Sequence, residues 1–439
     1  MSARKVVVAG GGAGGMLAAG RAAELGADVT LLEKMQRPGN KVLLSGNGRC
    51  NLSNTRELHE FISMFGPNGR FLYPAFDYFF RDDLLKLLAR LGVKTRAQPD
   101  GRIFPLSGKS ADVVAALERY MSLSGVKVVT GAKVTSVEAS GGSAVCALTA
   151  SAAYPADAVV LAMGGASYPQ TGSAGEGYRV AERLGHSVSR LRPALVPLVV
   201  KENQAAAGLQ GISLPDVRLT SFACRAEEID TANTPRADRG RGLGAAMPRP
   251  PVVESRRGSI IFTHYGLSGP ATLLMSLAVA DALALGPVSL AVDLVPGKTF
   301  SQLGEDLKQA ISAHGGRQVK SLLSESLPER IVQAALACAG MQAGVKAGQV
   351  TAAQRQDVAR ALKGLTFNVE GTRPLAEAML TAGGISLEEV DPRSMQSRII
   401  RSLYLCGEVL DLDADTGGFN LQAAFSTGYL AGQCAAVTR

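Results

Sequence analysis

The chain of 439 residues has no tryptophan, few aromatic residues (5%) and only four histidines. So few rings argue against a platform on which nucleic-acid bases stack. The six cysteines include no Cys-x-x-Cys pair, and their spacing fits neither a zinc site nor a disulfide framework. We therefore expect no bound metal and a reducing compartment.

The sequence also lacks the pattern of a secreted or membrane protein. Residues 1–5 lead directly into an apolar strand pattern, without the layout of a signal peptide. The most apolar later stretch, residues 271–292, contains Asp281, Gly286 and Pro287. It is predicted as a helix, a turn and a strand, and not as a membrane span. We expect a cytoplasmic protein that does not contact membranes.

The net charge does not identify the ligand or partner of the protein. Lys and Arg number 46 against 38 Asp and Glu, which gives a net charge of +8. This excess could attract a phosphate-bearing cofactor, another anionic ligand or a nucleic acid. Residues 231–257 concentrate arginines and prolines, and are interpreted as a mobile basic hairpin extension. A nucleic-acid-binding arm is the alternative, which the lack of aromatic residues between the arginines weakens.

The first strong pattern is a βαβ unit at the start of the chain. Lys5–Ala9 is a short β-branched run, typical of a buried parallel strand. Residues 16–25 predict an alanine-rich helix that Gly26 ends. Residues 29–32 predict a second strand, which closes on Glu33.

Three glycines of this unit fill the pattern Gly-x-Gly-x-x-Gly. Gly10 permits the tight turn, Gly12 lets backbone approach a pyrophosphate, and Gly15 lets helix and strand pack closely. The helix N-terminus presents free N–H groups to phosphates. Glu33 follows Gly15 by 18 residues, where a carboxylate can bond ribose hydroxyls and repel a 2′-phosphate. The unit predicts binding of FAD or NAD in preference to NADP.

A second glycine-rich loop spans residues 40–51. Its backbone amides, Ser45 and Arg49 could hold a cofactor or a substrate anion, and the alternative is an ordinary surface loop. Cys50 lies in this loop without a nearby cysteine, so dithiol chemistry is disfavoured. A buried structural cysteine is the favoured interpretation.

The order of the later elements predicts an FAD-binding domain that returns at the C-terminus. A β-meander between residues 127 and 150 precedes the strand 158–161, which ends in Gly164 and Gly165. Near the C-terminus, a strand at 402–406 leads to Glu408 and Asp411, which can bind the polyol chain of a flavin. The amides of residues 418–422 precede a helix and can stabilise negative charge on the pyrimidine end of a reduced flavin.

These motifs resemble the BaiN/YhiN-like flavoproteins, a branch of the glutathione-reductase-like FAD-dependent oxidoreductases. The resemblance covers nearly the whole chain. It departs from the family at Asn47, where the family usually has glycine, and in the extension at 231–257. The most specific segments are residues 44–51, 164–173, 262–270, 407–411 and 416–422.

The resemblance implies an α/β fold: a Rossmann-type FAD-binding domain, with a parallel sheet and a β-meander, an inserted β-rich barrel-like domain and a small helical subdomain. The expected boundaries are 1–194 and 366–439 for the FAD-binding domain, 195–298 for the β-rich substrate domain and 299–365 for the helical subdomain. It also implies non-covalent FAD, with NADH or NADPH as a transient reductant. The sequence has no second Gly-x-Gly-x-x-Gly to hold that reductant.

Motif and resemblance together predict a set of cofactor-binding residues spread over both ends of the chain. They are Gly10, Gly12, Ala13, Gly14, Gly15, Glu33, Lys34, Lys41, Ser45, Gly46, Gly48, Arg49, Cys50, Asn51, Val134, Met163, Gly164, Gly165, Thr171, Gly172, Gly407, Glu408, Asp411, Gly418, Phe419, Asn420, Leu421 and Gln422.

The leading functional hypothesis is an FAD-dependent oxidoreductase. It would pass a hydride from NAD(P)H through flavin N5 to an unsaturated or carbonyl-containing small organic substrate. One alternative is an oxidase that returns electrons to oxygen, and another is a flavin-bearing protein that binds or modifies nucleic acid. Weak candidates for catalytic residues on the substrate side are Asn51, His264, Tyr265 and Asn420.

Overall fold

A computed structural model describes residues 3–201, 208–229 and 251–437. The chain divides into two units, of which the first combines Met1–Arg192 with Leu375–Arg439 and the second is Pro193–Pro374. The first unit is therefore built from both ends of the chain. The helical segment predicted separately at 299–365 lies within the second unit.

A parallel sheet of five strands forms the centre of the first unit. The strands are β1 (Lys5–Ala9), β2 (Asp28–Glu33), β6 (Lys127–Thr130), β10 (Ala158–Leu161) and β19 (Leu403–Leu405). Their spatial order is β19-β10-β1-β2-β6, and every neighbouring pair is parallel. β10 is buried at all four positions, which explains why its sequence is a continuous apolar run.

Two small antiparallel sheets complete the β-structure of this unit. One contains β3 (Ser53–Asn54), β4 (Thr95–Ala97) and β5 (Arg102–Pro105), in the order β3-β5-β4. The other is a meander of β7 (Val134–Ser140), β8 (Ser143–Thr149) and β9 (Ala153–Pro155). The predicted meander therefore exists, but its first expected strand, residues 127–130, is wrong: as β6 it pairs with β2 in the parallel sheet. Two further short strands are β11 (Arg192–Ala194) and β18 (Leu380–Ala382).

Eight helices of the first unit are described. They are α1 (Ala13–Glu24), α2 (Asn40–Leu44), α3 (Leu58–Ser63), α4 (Tyr73–Tyr78), α5 (Arg81–Arg90), α6 (Ser110–Leu123), α7 (Glu176–Arg183) and α13 (Phe419–Val437). α1 and α13 approach each other closely because glycines lie at their crossing. A Cβ atom at Gly428 would lie 2.2 Å from the carbonyl oxygen of Gly14, and one at Gly432 would lie 2.2 Å from that of Ala18.

The second unit is a closed antiparallel barrel with helices. The barrel strands are β12 (Leu198–Val200), β13 (Ser213–Phe222), β14 (Val252–Phe262), β15 (Gly266–Ser268), β16 (Val288–Asp293) and β17 (Leu365–Thr372), in the closed order β12-β15-β14-β13-β16-β17. The helices are α8 (Pro270–Leu283), α9 (Phe300–Ala313), α10 (Val319–Leu323), α11 (Glu329–Cys338) and α12 (Ala352–Lys363). The predicted fold class is confirmed: a Rossmann-type domain with a parallel sheet, combined with a β-barrel.

The arginine-rich segment predicted as a hairpin extension at 231–257 lies mostly outside the described residues. Its C-terminal part, from Val252 onward, belongs to the eleven-residue strand β14, which pairs antiparallel with β13. Arg257 lies opposite Arg218 on the neighbouring strand β13 and forms an ion pair of 2.7 Å with Asp216. Within the described part of the chain, no helix is long and apolar enough to cross a membrane.

A buried histidine joins three segments of the first unit. The His186 side chain is fully buried, with Nδ1 3.0 Å from Glu389 Oε2 and Nε2 2.9 Å from Ser397 Oγ. Ser397 Oγ accepts hydrogen bonds from the backbone N–H groups of Ile399 and Ile400, so its own proton is directed to His186 Nε2. Neutral imidazole, protonated at Nδ1, satisfies this arrangement.

We expect acid to destabilise the first unit through His186. Burial, which outweighs the nearby Glu389 carboxylate, lowers the pKa of His186 below its ordinary 6.5. Between the two values the unfolded chain binds the proton and the folded chain does not. The stability contributed by neutral His186 is therefore present above about pH 6.5 and is lost as the pH falls below it.

Urea unfolding at pH 7.5 and pH 5.5 checks this expectation. The loss of unfolding free energy between the two pH values should shrink in His186→Asn. His59→Asn, at an exposed position, should leave this pH-dependent loss of unfolding free energy as in the wild type. An equal pH dependence in His186→Asn and the wild type would show that this histidine does not couple folding to protons.

Candidate functional site

A cleft in the first unit opens at the carboxyl ends of the parallel strands. Backbone segments that follow β1, β2, β10 and β19 all contribute to it, which is where ligands bind in open α/β sheets. Seventeen of the predicted cofactor-binding residues line it. They are Gly10, Gly12, Ala13, Gly14, Glu33, Lys34, Lys41, Ser45, Val134, Met163, Gly164, Thr171, Gly172, Gly407, Glu408, Asn420 and Leu421.

The glycine turn after β1 has the geometry that its sequence predicts. Gly10 has a φ of 103°, and a Cβ there would lie 2.4 Å from the carbonyl oxygen of Ala162. A Cβ at Gly15 would lie 1.9 Å from the carbonyl oxygen of Gly10, so only glycine lets α1 start this close to the turn. A Cβ at Gly12 would meet no atom within 4 Å, and this position lines the cleft. Backbone N–H groups at the start of α1 are thus available to an anion.

Glu33 ends β2 with its carboxylate fixed by two backbone amides. Its Oε2 accepts from the N–H of Gly11 at 2.7 Å, and its Oε1 accepts from that of Met35 at 2.8 Å. The residue is 9% exposed and lines the cleft. Each carboxylate oxygen keeps a further lone pair, with which it can accept from a hydroxyl group.

A lysine-glutamate-lysine cluster flanks this end of the cleft. Lys34 Nζ lies 2.8 Å and Lys133 Nζ 3.2 Å from Glu176 Oε1. Burial alone would raise the pKa of Glu176, but hydrogen bonds from Lys34, from its own backbone N–H and from Lys133 hold the pKa at about 2. Glu176 is ionised at neutral pH, so it offsets one of the two lysine charges and the cluster keeps a net charge of +1.

A second ion pair lies in the cleft between α2 and the loop after β19. Lys41 Nζ donates to both carboxylate oxygens of Glu408, at 2.6 and 2.9 Å, and to Ser167 Oγ at 2.7 Å. Glu408 Oε1 also accepts from the backbone N–H of Thr381 at 3.0 Å. Four segments distant in the sequence therefore meet at one carboxylate, which fixes its position for a ligand.

The C-terminal glycine loop is anchored to the loop that precedes β3. The Asn51 amide, oriented so that both its atoms are satisfied, donates to the carbonyl of Ser53 and accepts from the N–H of Gly418 at 2.9 Å. Asn54 Nδ2 donates to the carbonyl of Gly417 at 3.0 Å. Asn420 holds the same loop from within, since its side chain pairs with the backbone N–H and carbonyl of Ala414.

Eleven predicted cofactor residues do not line the cleft. They are Gly15, Gly46, Gly48, Arg49, Cys50, Asn51, Gly165, Asp411, Gly418, Phe419 and Gln422. Several have other contacts: the Arg49 guanidinium lies 4.5 Å from the centre of the Phe104 ring, and Phe419 packs on Phe61. Burial raises the pKa of Cys50 to about 12, which keeps it an unreactive thiol. Asp411 accepts from Ser189 Oγ at 2.9 Å.

The four candidate catalytic residues are divided between the two units. Asn51 and Asn420 belong to the first unit, where both side chains are engaged in loop contacts. His264 and Tyr265 belong to the second unit and follow β14. There the His264 ring meets the Tyr265 ring edge-on at 4.7 Å, and the Arg373 guanidinium lies 4.8 Å from the centre of the Tyr265 ring.

Sequence reasoning missed several lining residues. Glu176 and Lys133 are not among the predicted residues, although Glu176 lies in a glycine-rich stretch with Gly175 and Gly177. Met379 and Leu380 also line the cleft, and no local motif marks them. The signal that could have found them is position, since they lie at the start of the C-terminal segment that returns to the first unit.

The arrangement suits a long dinucleotide. An anion-binding helix start, a fixed carboxylate at the end of β2 and a partly buried ion pair all line one cleft. The start of α13 contributes Asn420 and Leu421 at another part of the lining. Donors for phosphate, an acceptor for ribose and groups for a polyol are thus all present in the residues that the first unit provides.

The sequence model of one protein family matches almost the whole chain. The family description is HI0933-like protein Rossmann domain, and the match covers residues 4–434.

Curated relatives match over nearly their full length. A 3-dehydro-bile acid delta(4,6)-reductase of Clostridium scindens is 31% identical over 437 residues, covering 98% of this chain and 99% of the relative. Ribosomal RNA dihydrouridine synthases of Haemophilus influenzae and Escherichia coli are each 26% identical, covering 96% and 97% of this chain and 96% of each relative.

Among solved structures, a 3-ketosteroid-delta4-(5alpha)-dehydrogenase from Rhodococcus jostii RHA1 is similar, with a TM-score of 0.50 and 16% identity. The match covers 99% of this chain and 97% of that chain. At this identity the similarity shows the fold alone.

Proposed function

The chain belongs to the HI0933-like family of FAD-dependent oxidoreductases, and from this premise we propose that it passes a hydride from NADH or NADPH, by way of bound FAD, to an unsaturated or carbonyl-containing small organic substrate. The observation that carries the proposal is the cleft at the carboxyl ends of β1, β2, β10 and β19. It combines a dinucleotide-type glycine turn with a carboxylate fixed at the end of β2.

The residues of the cleft suit the successive parts of FAD. The N–H groups at the start of α1 would bind the pyrophosphate, and Glu33 would accept from the adenosine ribose. The Lys41–Glu408 pair would bind the polyol chain, and the N-terminal end of α13 would stabilise negative charge on the pyrimidine edge. When bound, FAD supplies hydride transfer, which no amino-acid side chain can perform.

The substrate class follows from the chemistry that the relatives' names share. A delta(4,6)-reductase and a dihydrouridine synthase each saturate a carbon–carbon double bond of a ring. In a 3-dehydro steroid and in uridine that bond is conjugated with a carbonyl group, which makes it accept a hydride. A conjugated carbonyl compound is therefore the substrate class that we propose.

Anaerobic mixing of the purified, FAD-loaded protein with NADH and with NADPH tests the proposal. We expect one nucleotide to bleach the flavin absorbance within seconds, and a conjugated cyclic ketone to restore it. Restoration by air alone, with peroxide formed at the same rate as in the presence of ketones, would favour an oxidase. A flavin that stays oxidised with both nucleotides would contradict the nicotinamide-linked mechanism.

A second candidate function is reduction of a base in RNA. The names of two relatives that match over 96% of their length favour it. If it holds, the reduced protein should be reoxidised by RNA transcripts and not by small ketones, and binding should weaken steeply as salt increases. Equal reoxidation by both would indicate that the conjugated bond alone is recognised.

A further inference from the structure

A cluster of cations covers one face of the small β3-β5-β4 sheet, beside the cofactor cleft. Arg96 of β4 pairs directly with Phe104 of β5, so both side chains lie on the same face. Arg102 precedes Phe104 by two residues and shares this face. Lys94 precedes Arg96 by two and also shares it. With Arg49, which stacks on Phe104, these residues form what we call the cationic face.

The charge of this face is largely uncompensated. Arg102 forms an ion pair of 2.6 Å with Asp100. In the described ranges, Arg49, Lys94 and Arg96 have no carboxylate within ion-pair distance. All three are exposed, whereas Phe104 is 3% exposed beneath them. Four cations thus face one carboxylate, which creates a positive potential at the surface.

The loop that carries Arg49 connects this face to the cleft. Ser45 lines the cleft, and its carbonyl accepts from the backbone N–H of Cys50 at 2.9 Å, which closes the loop. Gly46 packs against the Phe104 ring. Arg49 therefore lies only a few residues from the cleft without lining it, and its guanidinium stacks on Phe104 instead.

We propose that the cationic face binds the phosphate groups of the nicotinamide dinucleotide that reduces the flavin. This inference rests on the proposed function, which requires such a reductant. The sequence has one Gly-x-Gly-x-x-Gly, and the FAD pyrophosphate accounts for it. A second dinucleotide needs other donors, and guanidinium groups bind phosphate with two parallel hydrogen bonds each.

The face fits a small phosphate ligand better than a nucleic acid. It spans two strands of three and four residues, and its aromatic ring is buried. Surfaces that bind single strands present exposed rings on which bases stack. A dinucleotide needs contacts for two or three phosphate groups, which the three uncompensated cations can supply.

The test compares Arg96→Ala and Arg96→Glu with Lys86→Ala, an exposed cation of α5 in the same unit. Anaerobic stopped-flow reduction of each FAD-loaded protein gives a dissociation constant for the nucleotide and a limiting bleaching rate. We expect the dissociation constant to rise about tenfold in Arg96→Ala and further in Arg96→Glu. The limiting rate should stay unchanged, as should both constants in Lys86→Ala.

A direct measurement separates binding from chemistry. Calorimetric titration of oxidised protein with NADP⁺ and NAD⁺ should show the same rise in dissociation constant in the Arg96 variants. Adding 0.5 M KCl should reduce the difference in affinity between these variants and the wild type. If a nucleotide bleaches the wild-type flavin but the Arg96 variants keep the wild-type dissociation constants, this inference is overturned and the proposed function is not. A wild-type flavin that neither nucleotide bleaches would overturn the nicotinamide-linked function and the inference with it. Loss of RNA binding in Arg96→Glu, with unchanged nucleotide binding, would assign the face to nucleic acid and overturn the proposal.

Discussion

Replacing Gly428 with alanine should lower the free energy of unfolding of the first unit by about 3 kcal/mol and weaken retention of FAD. The added methyl group would lie 2.2 Å from the carbonyl oxygen of Gly14, in the first turn of α1. Backbone atoms cannot move aside as a flexible side chain does, so α13 and α1 must separate. Because the start of α1 is the anion-binding end of the cleft, the displacement reaches the cofactor directly.

Urea unfolding, together with the flavin content after gel filtration, measures this effect. The matched control is Gly304→Ala within α9, where a Cβ would meet no atom within 4 Å. Since alanine favours helix over glycine, the control should gain about 0.5–1 kcal/mol. Wild-type stability and flavin content in Gly428→Ala would mean that the two helices are not in contact as described.

Glu408→Gln is expected to raise the dissociation constant for FAD about 30-fold, which corresponds to about 2 kcal/mol. The change preserves shape but removes the charge that Lys41 contacts at 2.6 Å. If the new carbonyl keeps the hydrogen bonds from Ser167 and Thr381, the amide N–H₂ faces the Lys41 ammonium, donor against donor. Lys41 keeps its charge in a partly buried position with no carboxylate to offset it. Fluorescence titration of the apoprotein with FAD measures the effect.

A double-mutant cycle shows whether the weaker FAD binding in Glu408→Gln comes from loss of the ion pair. Lys41→Met combined with Glu408→Gln should cost less than the two single changes added together, because the unpaired charge is then absent. Glu57→Gln, at an exposed position, should leave the FAD affinity as in the wild type. Strict additivity of the two single changes would show that the ion pair does not organise the site.

The parts of the site that the sequence predicts best are those in which a local pattern dictates backbone geometry. Gly10 and Gly15 are required by close approaches to neighbouring carbonyl groups, and Glu33 occupies the end of β2 that its spacing indicates. Such positions can be predicted because the constraint arises within about thirty residues of chain. The barrel, by contrast, is expected only from the family resemblance.

The remaining features depend on contacts between distant segments. Thr381 contacts Glu408 only because β18 returns to the first unit, and no motif near Thr381 indicates this. Arg49 is predicted to hold a cofactor or substrate anion because its loop is glycine-rich, and its stacking on Phe104, a residue more than fifty positions away, has no signal in that loop. β6 was assigned to the meander because its sequence does not show which neighbouring strand it pairs with.

The crossing of α1 and α13 also sets the timing of cofactor capture during synthesis. The ribosome makes residues 13–24 long before residues 419–437, and at roughly 5–20 residues per second the interval is on the order of tens of seconds. Throughout that interval the nascent βαβ unit lacks the helix that covers Gly14 and Ala18. The nascent chain therefore has an uncovered apolar surface on α1, and because residues 406–408, 420–421 and 424 also line the cleft, we expect flavin to bind only after these residues have been made.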